Sequence, residues 1–262
     1  MNLNLDNLNV FIIGGANNLG FDMAEGFVKN NSNVFITSRK EESLNKSIKY
    51  LNQINKSSTI KGGVLNVLDK NFEKNLQTIL KESDFKPDVL INNQGGQSQV
   101  FNRFPNLEKD DLLEEFNLNL ISVILSIQIF YEELLKSKYP SIINVASIAG
   151  MVGRDREIYT SSNLPEQRIE YASAKAGIIG LTKDLAAKLG PEGIRVNCIS
   201  PGGFERGQPK NFIDQYSFLT PLKRMGADTK DITLASLFLA SPNSSYVNGH
   251  NLVVDGGFTS AK

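Results

Sequence analysis

Short, mostly apolar runs alternate along the chain with longer stretches in which apolar positions recur every three to four residues. The short runs cover residues 10–13, 34–37, 60–65, 89–92, 141–146 and 251–254, and a seventh lies within "GPEGIRVNCISPGG". Runs this short predict strands, and those at 10–13 and 34–37 read as buried ones. The periodic stretches predict helices over 19–29, 41–53, 70–81, from Asn106 to about 136, from about 170 to 189, and over 228–239. Strand and helix alternate throughout, which predicts an α/β fold: one doubly wound parallel sheet of the Rossmann type in three α/β/α layers. No linker, repeat or low-complexity stretch divides the chain, so residues 1–262 read as a single domain.

Two stretches break the alternation. Residues 151–168 are polar, without period, and carry Arg154, Arg156 and Arg168; residues 204–223 read as a loop with short helical pieces. Segments of this kind cover sites. The helix after Asn106 is apolar nearly all round: Leu118, Leu120, Ile121, Val123, Ile124, Leu125, Ile127 and Ile129 spread over more than one face. Such a helix is buried on two sides, one facing the sheet and the other a second subunit. Asn119 sits among these residues and must find polar partners there. Ala172, Ala176 and Gly180 form a small-residue stripe on a later helix, suited to close packing.

Length and charge narrow the class. A chain of 262 residues can bury a large core. Its 28 basic and 28 acidic side chains cancel, so no net field draws it to nucleic acid or membrane. One cysteine excludes an internal disulfide, and a single histidine with a single cysteine falls short of a zinc ligand set. The first residues lack the pattern of a secretory signal, and the longest apolar run, 118–130, is broken by Asn119, Ser122, Ser126 and Gln128. These features predict a soluble cytoplasmic protein with no metal.

The candidate chemistry gathers at strand ends. The first strand runs into "GGANNLG" and then a helix, the order that makes a phosphate cradle, with Gly14 and Gly20 giving close backbone approach. A dinucleotide fold that selects NAD places an acid after the second strand; this chain has Ser38 and Arg39, which suit a 2′-phosphate and favour NADP over NAD. Asn66 and Val67 follow the third strand, where an adenine edge would lie. The fourth ends in "NNQGG", whose Asn92 and Asn93 can bond neighbouring backbone while Gly95 and Gly96 leave space for a ligand. Ser147 emerges at the carboxyl end of the fifth strand, the edge at which open α/β sheets bind ligands. Tyr171 and Lys175, in "YASAK", lie one helical turn apart and point the same way. A fixed ammonium there would lower the tyrosine's pKa from about 10 towards neutrality.

Taken in order, the glycine turn, "NNQG", Asn119, Ser147, Tyr171, Lys175, "SPGG" and "VVDGG" resemble the short-chain dehydrogenase/reductase family, from Val10 to Phe258. The resemblance implies hydride transfer between a nicotinamide cofactor, NADP or NAD, and a secondary alcohol or ketone. It implies that Ser147 holds the substrate oxygen and Tyr171 exchanges its proton. Lys175 would bind the nicotinamide ribose and tune the tyrosine, and Asn119 would hold a water linking Lys175 to solvent. It places the cofactor against Gly14, Asn17, Asn18, Leu19 and Gly20 at the turn, and against Ser38, Arg39, Asn66 and Val67. Further along it meets Asn93, Gln94 and Gly95, then Tyr171, Lys175, Pro201 and Gly202. A homodimer or homotetramer is the family's usual assembly.

The chain departs from the family pattern at several points. Ile13 replaces a threonine, Asn18 the middle glycine, Gln94 the alanine of "NNAG", and Asn66 an acid that often contacts adenine. Asparagine tolerates a left-handed backbone, so the turn can survive. Ser147 and Tyr171 stand 24 positions apart, about twice the common spacing, which reads as an insertion over the substrate cleft. That insertion, with "RVNCISPGGF", "TPLKRMG" and "NLVVDGGF", resembles a branch associated with bacterial surface-sugar synthesis. Its three arginines suit a phosphate or carboxylate on the substrate, or simply a solvated loop. Reduction of a 3-oxoacyl thioester and a non-catalytic dinucleotide-binding sensor are the alternatives. The first would want a basic surface for an acidic carrier, and the second has little use for a Tyr–Lys pair.

Overall fold

The computed structural model describes residues 3–96, 102–227 and 230–261. Seven parallel strands form one sheet: β1 (Asn9–Ile13), β2 (Asn33–Ser38), β3 (Ile60–Val64), β4 (Val89–Asn92), β5 (Ser141–Val145), β6 (Arg195–Pro201) and β7 (Asn251–Val254). Their order is β3-β2-β1-β4-β5-β6-β7. The order reverses between β1 and β4, which pair with Ile13 opposite Asn92. That reversal opens a crevice at the strands' carboxyl ends.

Alternation along the strands separates two cores. Val10 and Ile12 face one side, where they meet Met23 and Phe27 of α1 (Asn18–Lys29), Leu44 and Leu51 of α2 (Glu41–Ile54), and Leu237 and Leu239 of α9 (Thr233–Ala240). Phe11 and Ile13 face the other, against Leu76 of α3 (Phe72–Glu82), Val123, Ile127 and Phe130 of α5 (Ser122–Leu134), and Ile178 of α7 (Ile169–Leu189). The Phe11 and Phe35 rings stack there at 4.5 Å. Strand and helix limits follow the apolar pattern closely, with four informative differences.

The helix expected after a cap at Asn106 is capped two residues later, at Glu108, and runs as α4 (Lys109–Phe116), because the Asp111 carboxylate accepts from the Glu108 amide and closes its first turn. It passes through a wide π turn, Asn117–Ile121, before α5 continues. The continuous rod Lys109–Leu134 is long and apolar enough, by length and composition, to cross a membrane, which the broken apolar run did not suggest. Here one side of it packs on the sheet, and Ile121 and Ile124 on the other side are more than a third exposed. Second, 204–223 holds a ten-residue helix, α8 (Lys210–Leu219), because Phe212 and Tyr216, one turn apart, are both buried. Third, the helix expected over 228–239 is observed as α9 from Thr233, and Asp228 lies outside the described residues. Fourth, the stripe of Ala176 and Gly180 is exposed; α7 buries Ala174, Lys175, Ile178 and Thr182 instead.

Candidate active site

A cleft of about 530 Å3 opens over the β1/β4 crevice. Its floor is the turn after β1. Gly14 adopts φ +75° and Asn18 φ +50°, so the asparagine takes the left-handed conformation that the missing glycine would have supplied. The turn is tied down from outside: the Gly14 amide donates to Thr37 Oγ1 at 3.0 Å, and Asn93 Nδ2 donates to the Gly14 carbonyl at 2.8 Å. Thr37, on the neighbouring strand, anchors the amide of the residue after Ile13.

Most residues predicted to hold a cofactor line this cleft. Gly14, Asn17, Asn18 and Leu19 form one end, with Ser38, Arg39 and Val67 beside them; Asn93, Gln94, Gly95, Tyr171, Lys175 and Pro201 form the other. Three do not line it. Gly20 packs against the Gly14 carbonyl, so its missing side chain shapes the turn. Asn66 turns its oxygen back to the Leu68 amide. Gly202 lies against Asp255 and the Tyr216 hydroxyl. Lys40 and Ser43 join Arg39 at the outer end without having been singled out. The Gln94 side-chain oxygen is buried and has no hydrogen-bond partner, while its nitrogen donates to Ser126 Oγ at 3.1 Å. An unpartnered acceptor in a cleft of this size fits a ligand that brings hydroxyl donors, as a nucleotide ribose does.

At the inner end, Ser147 follows β5 and caps a short 3-10 turn, its Oγ accepting from the Ala149 amide at 3.1 Å. Gly150 lets that turn pass directly over the backbone of Lys175 and Ala176. The approach brings the Ser147 hydroxyl within hydrogen-bonding reach of the Tyr171 phenol. Lys175 is 3 % exposed, donates to the Val145 carbonyl at 2.8 Å, and lies 5.8 Å from the centre of the Tyr171 ring.

The electrostatics differ from the expectation drawn from "YASAK". Burial pushes the Tyr171 phenol above its ordinary pKa, and Ser147 and the Arg154 guanidinium are what pull it back. Lys175 has no comparable effect, because burial lowers its own pKa to about 8 while the Glu115 carboxylate opposes the fall. Desolvation therefore outweighs the groups that oppose it at both positions.

Asn119 is fully buried inside the π turn. Its Oδ1 accepts from the Gly96 amide at 3.0 Å, and its Nδ2 donates to the Gly96 carbonyl at 2.9 Å and Glu115 Oε1 at 2.8 Å. Both ends of the amide are thus engaged by protein, and Gly95 fits between Asn119 and the Lys175 ammonium. Glu115, one turn before Asn119, was not anticipated; its i, i+4 spacing is the signal that would have found it.

The three arginines of 151–168 separate. Arg168 is buried, its Nη1 3.6 Å from Glu115 and 3.7 Å from Glu170. Arg156 Nη1 donates to the Gln167 carbonyl at 2.5 Å. Arg154 acts on the phenols of Tyr159, Tyr171 and Tyr216, and burial lowers its pKa there. The stretch is also less irregular than expected: α6 (Glu157–Thr160) packs on α8, and Asn211 and Gln215 bond Ser161 and Ser162.

Residues 14–259 match a family model described as enoyl-(acyl carrier protein) reductase. A 3-oxoacyl-[acyl-carrier-protein] reductase of Chlamydia muridarum is 32 % identical over 98 % of this chain and 99 % of its own length. The 5-keto-D-gluconate 5-reductase of Escherichia coli K12 is 30 % identical over 95 % and 94 %. Among solved structures, a short-chain dehydrogenase from Leptospira borgpetersenii with bound NAD+ superposes with a TM-score of 0.82 at 32 % identity, covering 97 % of this chain and 93 % of the other.

Proposed function

We propose, from the premise that this chain belongs to the short-chain dehydrogenase/reductase family, that Ser147, Tyr171 and Lys175 are its catalytic residues and Asn119 positions them. The protein is an oxidoreductase that moves a hydride between a nicotinamide cofactor and a secondary alcohol or ketone. The observation that carries the assignment is the approach of the Ser147 hydroxyl to the Tyr171 phenol beside Lys175, at the inner end of the cleft.

When bound, the nicotinamide supplies or accepts the hydride. In reduction, Ser147 Oγ–H and Tyr171 Oη–H donate to the carbonyl oxygen as negative charge develops on it. Tyr171 then gives its proton to that oxygen. The raised pKa keeps Tyr171 protonated at neutrality, the form that reduction requires. Lys175, its Nζ held by the Val145 carbonyl, lines the inner end of the cleft, where it would hold the nicotinamide ribose. Asn119 clamps Gly96 and so holds the turn against which Lys175 rests; in this reading its service to Lys175 is through that turn.

Gly14, Asn17, Asn18 and Leu19 would hold the pyrophosphate, and Gln94 would accept from a ribose hydroxyl. Arg39 and Lys40, flanked by Ser38 and Ser43 and with no acid among the described residues that line the cleft, favour the 2′-phosphate of NADP over NAD. The same reading makes the protein a cytoplasmic enzyme and a homodimer or homotetramer, the exposed Ile121 and Ile124 meeting a second copy.

For the substrate, a small polar ketone of the sugar class is the first reading, supported by the E. coli keto-gluconate relative. A tie to surface-sugar synthesis rests on motif likeness alone, and none of the relatives named above carries it. The Chlamydia relative favours a second reading, a 3-oxoacyl thioester; the balanced surface charge gives an acidic carrier no basic field to follow. A panel of ketoses, nucleotide sugars, polyols and oxoacyl thioesters, followed by nicotinamide absorbance with both cofactors, decides between them. Turnover of thioesters alone would overturn the sugar assignment.

A further inference from the structure

We propose that Arg154, with Tyr159 and Gln167, forms a subsite for a carboxylate carried on the same molecule as the reacting carbonyl, which makes the substrate an oxo or hydroxy acid. The proposal rests on the hydride-transfer reading above and deepens it.

Arg154 is a partly buried guanidinium that forms no ion pair with a carboxylate among the described residues. Its neighbours are phenols: Tyr159 within hydrogen-bonding reach, and Tyr171 and Tyr216 close enough to feel its charge. The other charged group that acts on it is Arg156, of like sign. The two other arginines of the segment are already engaged, one by Glu115 and Glu170 and one by a backbone carbonyl. Withdrawing a guanidinium from water without a counter-charge is unfavourable, and an incoming anion removes that cost.

The surroundings hold the cation in place. Tyr159, Phe212, Tyr216 and Phe258 form a continuous aromatic wall with ring centres 4.9–5.9 Å apart. Tyr216 is pinned further by the Gly203 amide, which donates to its hydroxyl at 2.6 Å. A charge fixed against such a wall interacts more strongly than one in water. Gln167 donates to the Tyr159 hydroxyl and so fixes that phenol beside Arg154. A planar guanidinium by itself matches the fork of a carboxylate. The Arg154 charge is felt at the Tyr171 phenol, so a carboxylate held by Arg154 would belong to the same molecule as a carbonyl at Tyr171.

The test uses the full chain with each cofactor and a series of oxohexanoates, the ketone moved stepwise from the carboxylate, each beside its methyl ester. The wild type is expected to favour the acid over the ester by about tenfold or more in kcat/KM at one ketone position. In Arg154→Gln the ratio falls to about one, and Arg154→Lys retains part of it. The ratio within one variant cancels any loss of folded protein. Equal use of acid and ester by the wild type, or the same ratio in Arg154→Gln, overturns the proposal. Preference for dihydroxyacetone phosphate over dihydroxyacetone, without a preference for acids, assigns the subsite to phosphate and overturns the carboxylate. Calorimetric titration of the cofactor-loaded protein with the matching hydroxy acids and their amides separates the two readings. Acid binding that depends on Arg154 without turnover sinks the hydride-transfer reading alone, and absence of both sinks this one.

Discussion

Lys175 shows what a residue at this site costs the fold. Its ammonium is buried, bonds one carbonyl, and has a pKa of about 8 against an ordinary 10.5. Between those values the folded chain holds fewer protons than the unfolded one, so stability rises with pH across that window. Below about pH 8 the whole penalty is present, roughly 3 kcal/mol by linkage. Lys175→Met is therefore expected to raise the melting temperature at neutral pH, by an amount that shrinks as pH rises towards 10.5, while turnover is lost. Calorimetry across pH checks the sign, and a variant less stable at pH 7 would show that the ammonium is not the source of strain. Tyr171 makes a second prediction. Removing its hydroxyl takes away the proton donor but no contact with the outer cleft. Tyr171→Phe should lose about 10²- to 10⁴-fold in kcat with cofactor affinity unchanged, measured by turnover and by cofactor titration. Because the phenol titrates above its ordinary value, reduction should hold steady through neutrality and fall only in the alkaline range.

At the scale of elements, α4, the segment after α6 and the first turn of α7 meet through Glu115, Arg168 and Glu170, all buried. The arginine separates two carboxylates in a place where neither is solvated. Arg168→Leu should destabilise the protein by about 3–5 kcal/mol, more than Arg154→Gln, as read by denaturant unfolding. Equal small losses would mean that Arg168 is not the counter-charge. This contact also marks how far the sequence could be read. Strands β4 and β7 were placed to the residue because an apolar run bounded by turn residues has one interpretation. The cleft residues were legible for the same reason: they sit at strand ends, and topology delivers strand ends to one edge. The roles of the three arginines were not legible, because a stretch without period says nothing about which side chains fold inward. Nor was the balance at Tyr171, where the local pair suggested an acidic phenol and burial, a property of the whole fold, reversed the direction.

For the molecule as a whole, the open face of α4 and the helical rod after it is where the proposed assembly would form. Leu112, Leu113, Ile121 and Ile124 are each at least a third exposed along this one rod, opposite the side that covers the sheet. Ala176 and Gly180 on the adjoining α7 are exposed too, and no side chain approaches the position that a Cβ on Gly180 would take. A smooth apolar surface of this kind is left uncovered by a single chain, and self-association through a two-fold axis covers it on both copies at once. The same rod carries Glu115 and Asn119, which hold Gly96 and so the floor under Lys175. Pairing of the rods would therefore stiffen the inner end of the cleft without contributing a group to it. Ile124→Glu places a charge on that face and should convert the assembled protein to monomers in sedimentation, with a loss in kcat larger than any change in cofactor affinity. An Ile124→Glu protein that sediments like the wild type would move the interface elsewhere. A monomeric variant with full kcat would show that the cleft keeps its shape without a partner.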